Sequence, residues 1–591
     1  MTPRWKLHRN QPAPAAAELC RRFGLHPIVA AILERRGADS PDRAARFLKP
    51  SLSELHDPYL LRGMPEAVGR VAQALRTGQR IVISGDYDVD GITSSALLGH
   101  FLRDAGAERV QIFIPNRFEH GYGLTPRTVE ALLALRPELV ITVDNGITAV
   151  AEVARLQAAG ISTVITDHHL PREAGVPAGI VVNPQQPGCP YPFKKISGCG
   201  VTFKLVTALR KHLREVGWWS AARPEPNLKA LLDLVAVGTV ADVMPLQEEN
   251  RALLVHGLEV MNQGALRPGL SALLAYGKPE PVTARTLAFR VAPRINAAGR
   301  MSDGSLAVRL LLATDPAEAA ELASRLEAEN TARRARGEEM QAEAVAAVRE
   351  AGLDGAAGIV VHSPQFHEGI IGITAARMVE LFHRPVVVCA ENGDGLKGSA
   401  RSVPGVNVTA AFDACAGLLT QYGGHAGAAG CTLPKANLET FRRRFAEACA
   451  ALGGAAEPPF VLLEGRLEPG MLSEELVTQL LSLEPFGHGN EEPCFLVEQR
   501  GLPPAQAFGN GHLRWNIDPR TEMVAWNASD KLNASGDTCY RVRLGFNEFR
   551  GQRKVRLLVE DWQHSRPEEI TPAASAAPPA ADLRPATGSP A

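Results

Sequence analysis

The sequence predicts a multidomain α/β protein: a parallel-sheet domain and a second α/β lobe joined by one long helix, followed by a small all-β domain. Three observations carry this reading. Short β-branched runs alternate with helix-length segments from residue 79 to about 182, the pattern of a parallel sheet covered on both faces. An Ala-, Glu- and Arg-rich stretch opens at Asp315-Pro316, an N-cap followed by proline at the first helical position, and runs unbroken to about Glu350. Beyond Phe460 the pattern turns to short strands separated by glycine turns.

Composition bounds what such a chain can do. With 591 residues there is room for three or more domains, and 45% hydrophobic against 21% charged residues is ordinary for soluble globular protein. The 63 basic and 64 acidic residues exclude a global basic excess, so any affinity for a polyanion must be local. Nine cysteines without a CxxC pair read as reduced thiols of a cytoplasmic protein, not as zinc ligands or disulfides. The start, Met1-Thr2-Pro3-Arg4-Trp5-Lys6, lacks an apolar signal core, and no run approaches the ~18 apolar residues of a membrane span, so the expectation is a protein neither exported nor anchored.

Taken in order, residues 1–60 read as a helical lead-in, with amphipathic turns at His26 to Leu33 and Asp42 to Leu48. In 61–304 the strands are Ile81 to Ser84, Val110 to Ile114, Leu139 to Val143, Thr163 to Thr166 and Ile180 to Val182. Behind the first of them stands Gly85-Asp86-Tyr87-Asp88-Val89-Asp90-Gly91, and helix formers follow from Ser94, so the acids occupy a strand-to-helix turn, where ligands gather in α/β sheets. Three carboxylates in so small a volume repel one another and call for a divalent cation bound by oxygen. An EF-hand loop fails at its twelfth position, Leu97, where a bidentate Glu is needed. Asp88-x-Asp90-Gly91 also fits the nucleophile loop of haloacid-dehalogenase-like phosphatases, and a metal-free N-cap accounts for one carboxylate but not three.

Downstream residues decide between these. The third strand ends in Asp144-Asn145-Gly146 and the fourth in Asp167-His168-His169, and carboxyl ends of parallel strands share one edge, so these groups can converge. Asp242, behind the apolar run Leu234 to Ala241, offers a further acid. A phosphoaspartate mechanism has no use for Asp144 and the Asp-His-His triplet. Carboxylates with one imidazole and no thiolate suit Mn²⁺ or Mg²⁺ better than zinc. Two such ions about 4 Å apart activate water and stabilise both oxygens of an in-line displacement, so phosphodiester hydrolysis is the chemistry expected.

Asp-Tyr-Asp-Val-Asp-Gly at 86–91, Val-Asp-Asn-Gly at 143–146, Asp-His-His at 167–169 and Gly-Thr-Val-Ala-Asp-Val at 238–243 resemble the successive motifs of the DHH phosphoesterase superfamily. Within it the resemblance is to the RecJ family of single-strand-specific 5′ to 3′ exonucleases, over about residues 25 to 565. It implies a two-metal site with Asp144 as bridging ligand and Asp88, Asp90, His168 and Asp242 around it. Asp86 becomes a ligand or a support, and His169 faces the scissile phosphate. Related phosphoesterases carry a His where this chain has Ser84. Arg117 and Tyr122, in the loop after the second strand, and Arg294, Asn296 and Arg300, in a segment read as a loop, are expected to line the groove for the leading nucleotides.

Residues 305–355 are expected to hold the connecting helix, a strut of about 50 Å between two lobes. Pairs such as Glu321 with Arg325 and Glu329 with Arg333 would support it. Residues 356–455 resemble the DHHA1 substrate-binding domain, in which Ser399 and Arg401 take the 5′ phosphate and His425 an internal one; Ala400 and Phe366 stand where the family more often has Gly and Trp. Residues 460–565 resemble an OB-fold. Its hairpin Tyr540 to Arg556 carries six basic residues against one acid, with two Phe interleaved, and reads as the single-strand-binding face. The Pro/Ala-rich 566–591 read as a disordered tail.

The expectation is therefore a cytoplasmic, monomeric, metal-dependent 5′ to 3′ exonuclease of single-stranded DNA acting in recombination and repair. Single-strand binding protein and a RecQ-type helicase are the partners the resemblance implies. The alternatives are a DHH-type oligonucleotide phosphodiesterase, which typically omits the OB region, and a catalytically silent single-strand binding factor. The intact set of acids and histidines speaks against the second.

Overall fold

The computed structural model describes residues 4–8, 14–172, 175–264, 266–278, 280–453, 460–500, 502–509, 511–528, 538–549, 551–564 and 568–570. They form two compact units, one of residues 50–457 with 487–489, the other of the described parts of 1–49, 458–486 and 490–591. The first strand, β1 (Arg4–His8), belongs to the second unit.

The larger unit holds two sheets. In the first, β2 (Ile81–Ser84), β3 (Val110–Phe113), β4 (Leu139–Val143), β5 (Ser162–Thr166) and β6 (Ile180–Val182) run parallel in the order β3-β2-β4-β5-β6. Both β2 and β4 are buried along their whole length, which is why their sequences are apolar but for Ser84 and Thr142 and do not alternate. Ile81, Ile83 and Ile141 face a core shared with helices Val89–Asp104, Gly198–Glu215 and Leu232–Ala241. Val82, Val140 and Ile165 face helices Pro126–Ala134 and Val150–Ala158 on the other side. With β3 on one flank of β2 and β4 on the other, the crevice outside the carboxyl ends of β2 and β4 is the topological switch point.

The second sheet has β7 (Ile359–His362), β8 (Val386–Asn392), β9 (Gly395–Arg401), β10 (Gln421–His425) and β11 (Ala428–Pro434) in the order β10-β11-β9-β8-β7. Only the pair β7 and β8 is parallel. The helix Pro316–Glu350 has the expected 35 residues, and the Asp315 carboxylate caps it by accepting from the Glu318 N–H. It is not a free-standing strut. Leu322, Ala323 and Leu326 join the core of the first sheet while Met340, Ala344 and Val348 join that of the second, all within one compact unit. The buried stripe carries only four large apolar residues, Leu322, Leu326, Met340 and Val348, among alanines, Asn330 and Gly337, and so reads weakly as apolar. Neither Glu321–Arg325 nor Glu329–Arg333 lies within ion-pair distance; Glu329 accepts from Ser302 and Arg333 donates to Asn330 instead.

The smaller unit contains β12 (Phe460–Leu463), β13 (Phe495–Glu498), β14 (Gln506–Phe508), β15 (His512–Asp518), β16 (Thr521–Ala525), β17 (Cys539–Phe549), β18 (Gln552–Gln563) and β19 (Glu568–Ile570). Six of them form a sheet in the order β13-β17-β18-β16-β15-β14. The expected helical lead-in over 1–60 is corrected here. β1 pairs in parallel with β12 and β19, burying Trp5 and Leu7 against Leu463, Leu496 and Cys539, and residues 1–49 belong to this unit while 50–60 belong to the other. A two-residue alternation as short as Trp5-x-Leu7 is easily lost beside helical periodicity. The disordered tail expected from 566 is corrected over Glu568–Ile570, which form β19; residues 571–591 lie outside the described residues.

Candidate metal centre and anion pocket

The strand-to-helix turn after β2 delivers its acids in three different ways. Asp88 is the N-cap of helix Val89–Asp104, accepting from the Gly91 N–H at 3.1 Å. Asp90, in the first turn of that helix, is buried and faces the start of helix Gly198–Glu215, whose Gly198 and Cys199 N–H groups donate to its two oxygens at 2.7 and 2.9 Å. A helix N-terminus is a favourable place for a carboxylate, so Asp90 is fixed in orientation before any ion arrives. Asp86 is fully buried, and neither of its oxygens has a hydrogen-bond partner.

Asp144 follows β4 with φ of +61°, a left-handed conformation that is strained for a residue other than glycine and is found mostly where function holds it. Asn145 locks the turn by donating to the carbonyls of Ser84 and Val143, tying the ends of β2 and β4 together. Gly198 is required here: a Cβ would lie 2.5 Å from Asp144 Oδ1. His168, after β5, places Nε2 at 3.1 Å from Asp144 Oδ1, 3.6 Å from Asp242 Oδ2 and 3.9 Å from Asp90 Oδ2. Asp242 reaches the cluster from the carboxyl end of helix Leu232–Ala241, and the next residue, Val243, is again left-handed, at φ +55°.

The protonation pattern says what this cluster lacks. Burial and neighbouring carboxylates push Asp90 up to about 7, Asp86 to about 8 and Asp242 to about 9, and hold Asp144 well above the ordinary carboxylate value. Burial, aided by His169, lowers His168 to about 4, so its ring is neutral at pH 7. The ring bonds the backbone of Ile196 while Nε2 has no partner, so a bare nitrogen lone pair faces the orphaned buried oxygens Asp144 Oδ1 and Asp242 Oδ2. Lone pairs converging on lone pairs are satisfied by a cation. An oxygen-rich set with one imidazole, the second ring nitrogen anchored to the backbone, fits Mn²⁺ or Mg²⁺.

His169 stands apart from the acceptors. Burial alone would depress its basicity, but Asp167 Oδ1, 2.8 Å from Nδ1, outweighs burial and raises the ring to about 9. Asp167 is itself buried yet lowered, because His169 and the N–H groups of Ile147 and His168 all bond it. Tyr122 Oη lies 3.4 Å from His169 Nε2, so the loop after β3 reaches the same edge as β5.

Beside the acids lies a cluster of guanidiniums, a candidate anion pocket. Arg117 stacks at 4.3 Å over Tyr87, within the acidic turn itself. Arg300 is lowered to about 10 by burial and by the charges of Arg117, Arg333 and Arg401. Among the described residues no carboxylate lies within ion-pair distance of any of these four guanidiniums. Arg401 projects from β9, and its Nη1 bonds Ser399 Oγ at 3.1 Å. Register places Arg401, Ala428 and His425 in one row across β9, β11 and β10, so Ser399, Arg401 and His425 share a face. Gly372, in the first turn of helix Ile371–Phe382, lets that helix pack closely against these groups: a Cβ would lie 3.1 Å from both Ser399 Oγ and Arg401 Nη2 and would push them by a few tenths of an ångström.

Three expectations change. Arg294, Asn296 and Arg300 lie not on a loop but on helix Ala292–Met301, where Pro293 sits in the first turn and costs no hydrogen bond. Arg294 is engaged by Glu327 at 2.5 Å and by the Arg290 carbonyl, which separates it from the pocket; Asn296 instead lines a cavity of about 250 Å³ with Arg300 and Arg333. Three of the six basic residues of the hairpin hold carboxylates: Arg543 pairs with Glu492 and Glu560, Arg556 with Glu522, and Arg553 with Glu548 while covering Phe546. Glu548 and Glu560 lie on the hairpin's own two strands, Glu522 on β16 and Glu492 just before β13, and Arg550 lies outside the described residues. Sequence reasoning also missed Gly198, Cys199, Gly372 and Arg333; the signal available for the first two was a Ser-Gly-Cys-Gly helix start, with Ser197 as its cap.

Comparison with known proteins matches three families in the same order along the chain: the DHH family, N-terminal domain, over residues 80–239, the DHHA1 domain over 355–451 and the RecJ OB domain over 463–561. The chain is 40% identical over 555 residues to the single-stranded-DNA-specific exonuclease RecJ of Dickeya dadantii, covering 90% of this chain and 95% of that protein. It is 36% identical over 564 residues to the protein of the same description from Escherichia coli, covering 91% and 96%. The crystal structure of RecJ in complex with Mn²⁺ from Thermus thermophilus superposes with a TM-score of 0.81 at 32% identity, covering 96% of this chain and 80% of that one.

Proposed function

The chain belongs to the RecJ family of single-stranded-DNA-specific exonucleases, and on that premise we propose that it hydrolyses single-stranded DNA from the 5′ end with two divalent ions, Mn²⁺ or Mg²⁺. One observation carries the reading: partnerless buried oxygens and a neutral imidazole converge at the switch point beside four guanidiniums without carboxylate partners. Asp86, Asp88, Asp90, Asp144, His168 and Asp242 are the groups that would hold the ions, which supply an activated water and stabilise the charge developing on phosphate oxygens. His169, kept cationic by Asp167, is placed to bond a phosphate oxygen and to hold a proton for the departing 3′ oxygen. Arg117, Arg300, Ser399 and Arg401 take the terminal 5′ phosphate, which sets direction, and His425 takes a phosphate further along the strand. Tyr122 orients the leading nucleotide.

The same reading assigns the protein to recombination and repair in the cytoplasm, as a monomer working with single-strand binding protein and a RecQ-type helicase. No helix among the described residues is long and apolar enough to cross a membrane. Digestion of one strand labelled at its 5′ or 3′ end with added Mn²⁺ tests the proposal. Early release of 5′ label as mononucleotide is expected; early release of 3′ label overturns the direction, and no release in Mn²⁺ or Mg²⁺ overturns the activity.

A further inference from the structure

The smaller unit carries a cluster of rings that the basic hairpin does not explain. Phe508 at the end of β14, His512 at the start of β15 and Trp526 just past β16 meet with ring centroids 4.8 to 5.8 Å apart, and Arg514 lies 4.5 Å over Phe508. Trp526 is 46% exposed, a large apolar surface to leave in water. The three rings are mutually inclined by 60 to 80°, so none covers another's face in parallel. Arg514 covers one face of Phe508, and the exposed indole of Trp526 is the surface left to a stacking partner.

The cluster is built and not incidental. The Asn527 N–H donates to His512 Nδ1 at 3.0 Å, which fixes the imidazole, and Asn527 itself is left-handed, at φ +51°, turning the chain so that the indole lies against that ring. Gly509, at φ +54°, brings the β14–β15 turn close to the imidazole; a Cβ there would lie 3.2 Å from His512 Cδ2. Arg514 is held by Glu522 at 3.7 Å, which positions a cation beside the rings without making the patch strongly basic. A surface of locked aromatic rings with little free charge selects for flat, apolar faces more than for phosphates.

We propose that Phe508, His512 and Trp526 form a stacking platform for unpaired nucleobases of the single strand, so that the smaller unit grips its substrate by bases more than by phosphates. The proposal rests on the single-strand reading above and goes beyond it by naming where and how the smaller unit holds the strand. The occupant follows from chemistry. Bases of a single strand expose both faces, whereas those of a duplex are already stacked.

The test uses the full chain in a metal chelator, binding a long single strand and a matched strand in which every base is replaced by an abasic site. Trp526→Ala should weaken binding of the normal strand by about five-fold or more, leave the salt dependence unchanged and leave the abasic strand unaffected; Trp526→Phe should restore most of the loss. Thermal melting checks that both variants stay folded, as expected for a half-exposed side chain. Equal losses on both strands, or no loss on either, would overturn the platform. Failure of the wild type to cleave DNA would sink the proposed activity but not this inference, which is read from binding alone.

Discussion

Asp167 Oδ1 lies 2.8 Å from Nδ1 of His169, while the same carboxylate accepts the N–H groups of Ile147 and His168. One buried acid thus fixes the turn that carries both histidines and raises His169 to about 9, while burial and the charge of His169 lower His168 to about 4 against the opposite pull of Asp167. Asp167→Asn should keep the turn but remove the charge. Burial, opposed then only by the charges of Asp242 and Asp88, should carry His169 down toward its ordinary value of about 6.5. Turnover should drop by about 100-fold near pH 8, and the alkaline limb of the rate profile should move from about 9 toward neutrality. An unmoved limb would assign Asp167 to structure alone.

Asp144 lies 3.1 Å from His168 and belongs to a group of side chains that could hold a metal ion. Losing a group that merely supports a ligand costs about 10 to 100-fold, so losing this carboxylate should cost more. Asp144→Ala is expected to lose more than about 100-fold in turnover while single-strand affinity in chelator stays within about two-fold, because on the proposed reading the residue holds ions and no phosphate. Retention of a substantial rate would exclude Asp144 from the centre.

Protons and metal should compete. Asp90, Asp86 and Asp242 sit at about 7, 8 and 9 in the metal-free chain, against about 3.9 for a free Asp. A folded-state value above the unfolded one gives stability that is fully present below about pH 4 and lost as pH climbs through the folded values, so the metal-free protein should melt lower at pH 9 than at pH 6. Mn²⁺ expels those protons, so its affinity should rise with pH and its gain in Tm should be larger at pH 9. Calorimetry in buffers of different ionisation heat should detect proton release at pH 7; a pH-independent gain in Tm would mean that the acids are already ionised without metal.

The anion pocket predicts end selectivity. Arg401→Ala removes one of four mutually repelling guanidiniums and should slow 5′-phosphorylated ends by about ten-fold or more relative to 5′-hydroxyl ends, since a charge-assisted bond contributes about 1.5 to 3 kcal/mol. Mn²⁺ affinity should be unchanged. Equal slowing on both kinds of end would assign Arg401 to general electrostatics.

What sequence could reveal followed from periodicity and strand ends. Asp88, Asp144 and His168 were legible because parallel strands deliver their carboxyl ends to one edge, and a 35-residue helix announces itself by its cap and composition. The clamp of Gly198 and Cys199 on Asp90 was not, because it joins positions 108 and 109 residues apart through backbone N–H groups that any sequence possesses. Helix Ala292–Met301 hid behind Pro293, Asn296 and Gly299, residues common in loops. Arg294 looked like its neighbour Arg300 until the fold supplied Glu327 to one of them and three arginines to the other.

Pairing of the same kind decides the hairpin. On a single strand each cation that neutralises a phosphate contributes about 0.7 to the slope of log affinity against log salt, so Arg553 and Arg556, if free, would account for about 1.4. Both already hold carboxylates, Arg553 that of Glu548 and Arg556 that of Glu522. To meet a phosphate each must give up its acid, and the freed carboxylate repels the strand. Replacing both arginines with Ala should therefore flatten the slope by less than about half the free value. Glu522→Gln gives the opposite arm: it releases Arg556, and with it Arg514, which Glu522 also holds, so the slope should steepen. Salt titrations of both variants on one long strand decide the point. A full loss of about 1.4 in the double variant, with no change in Glu522→Gln, would return the hairpin to the role its composition suggests.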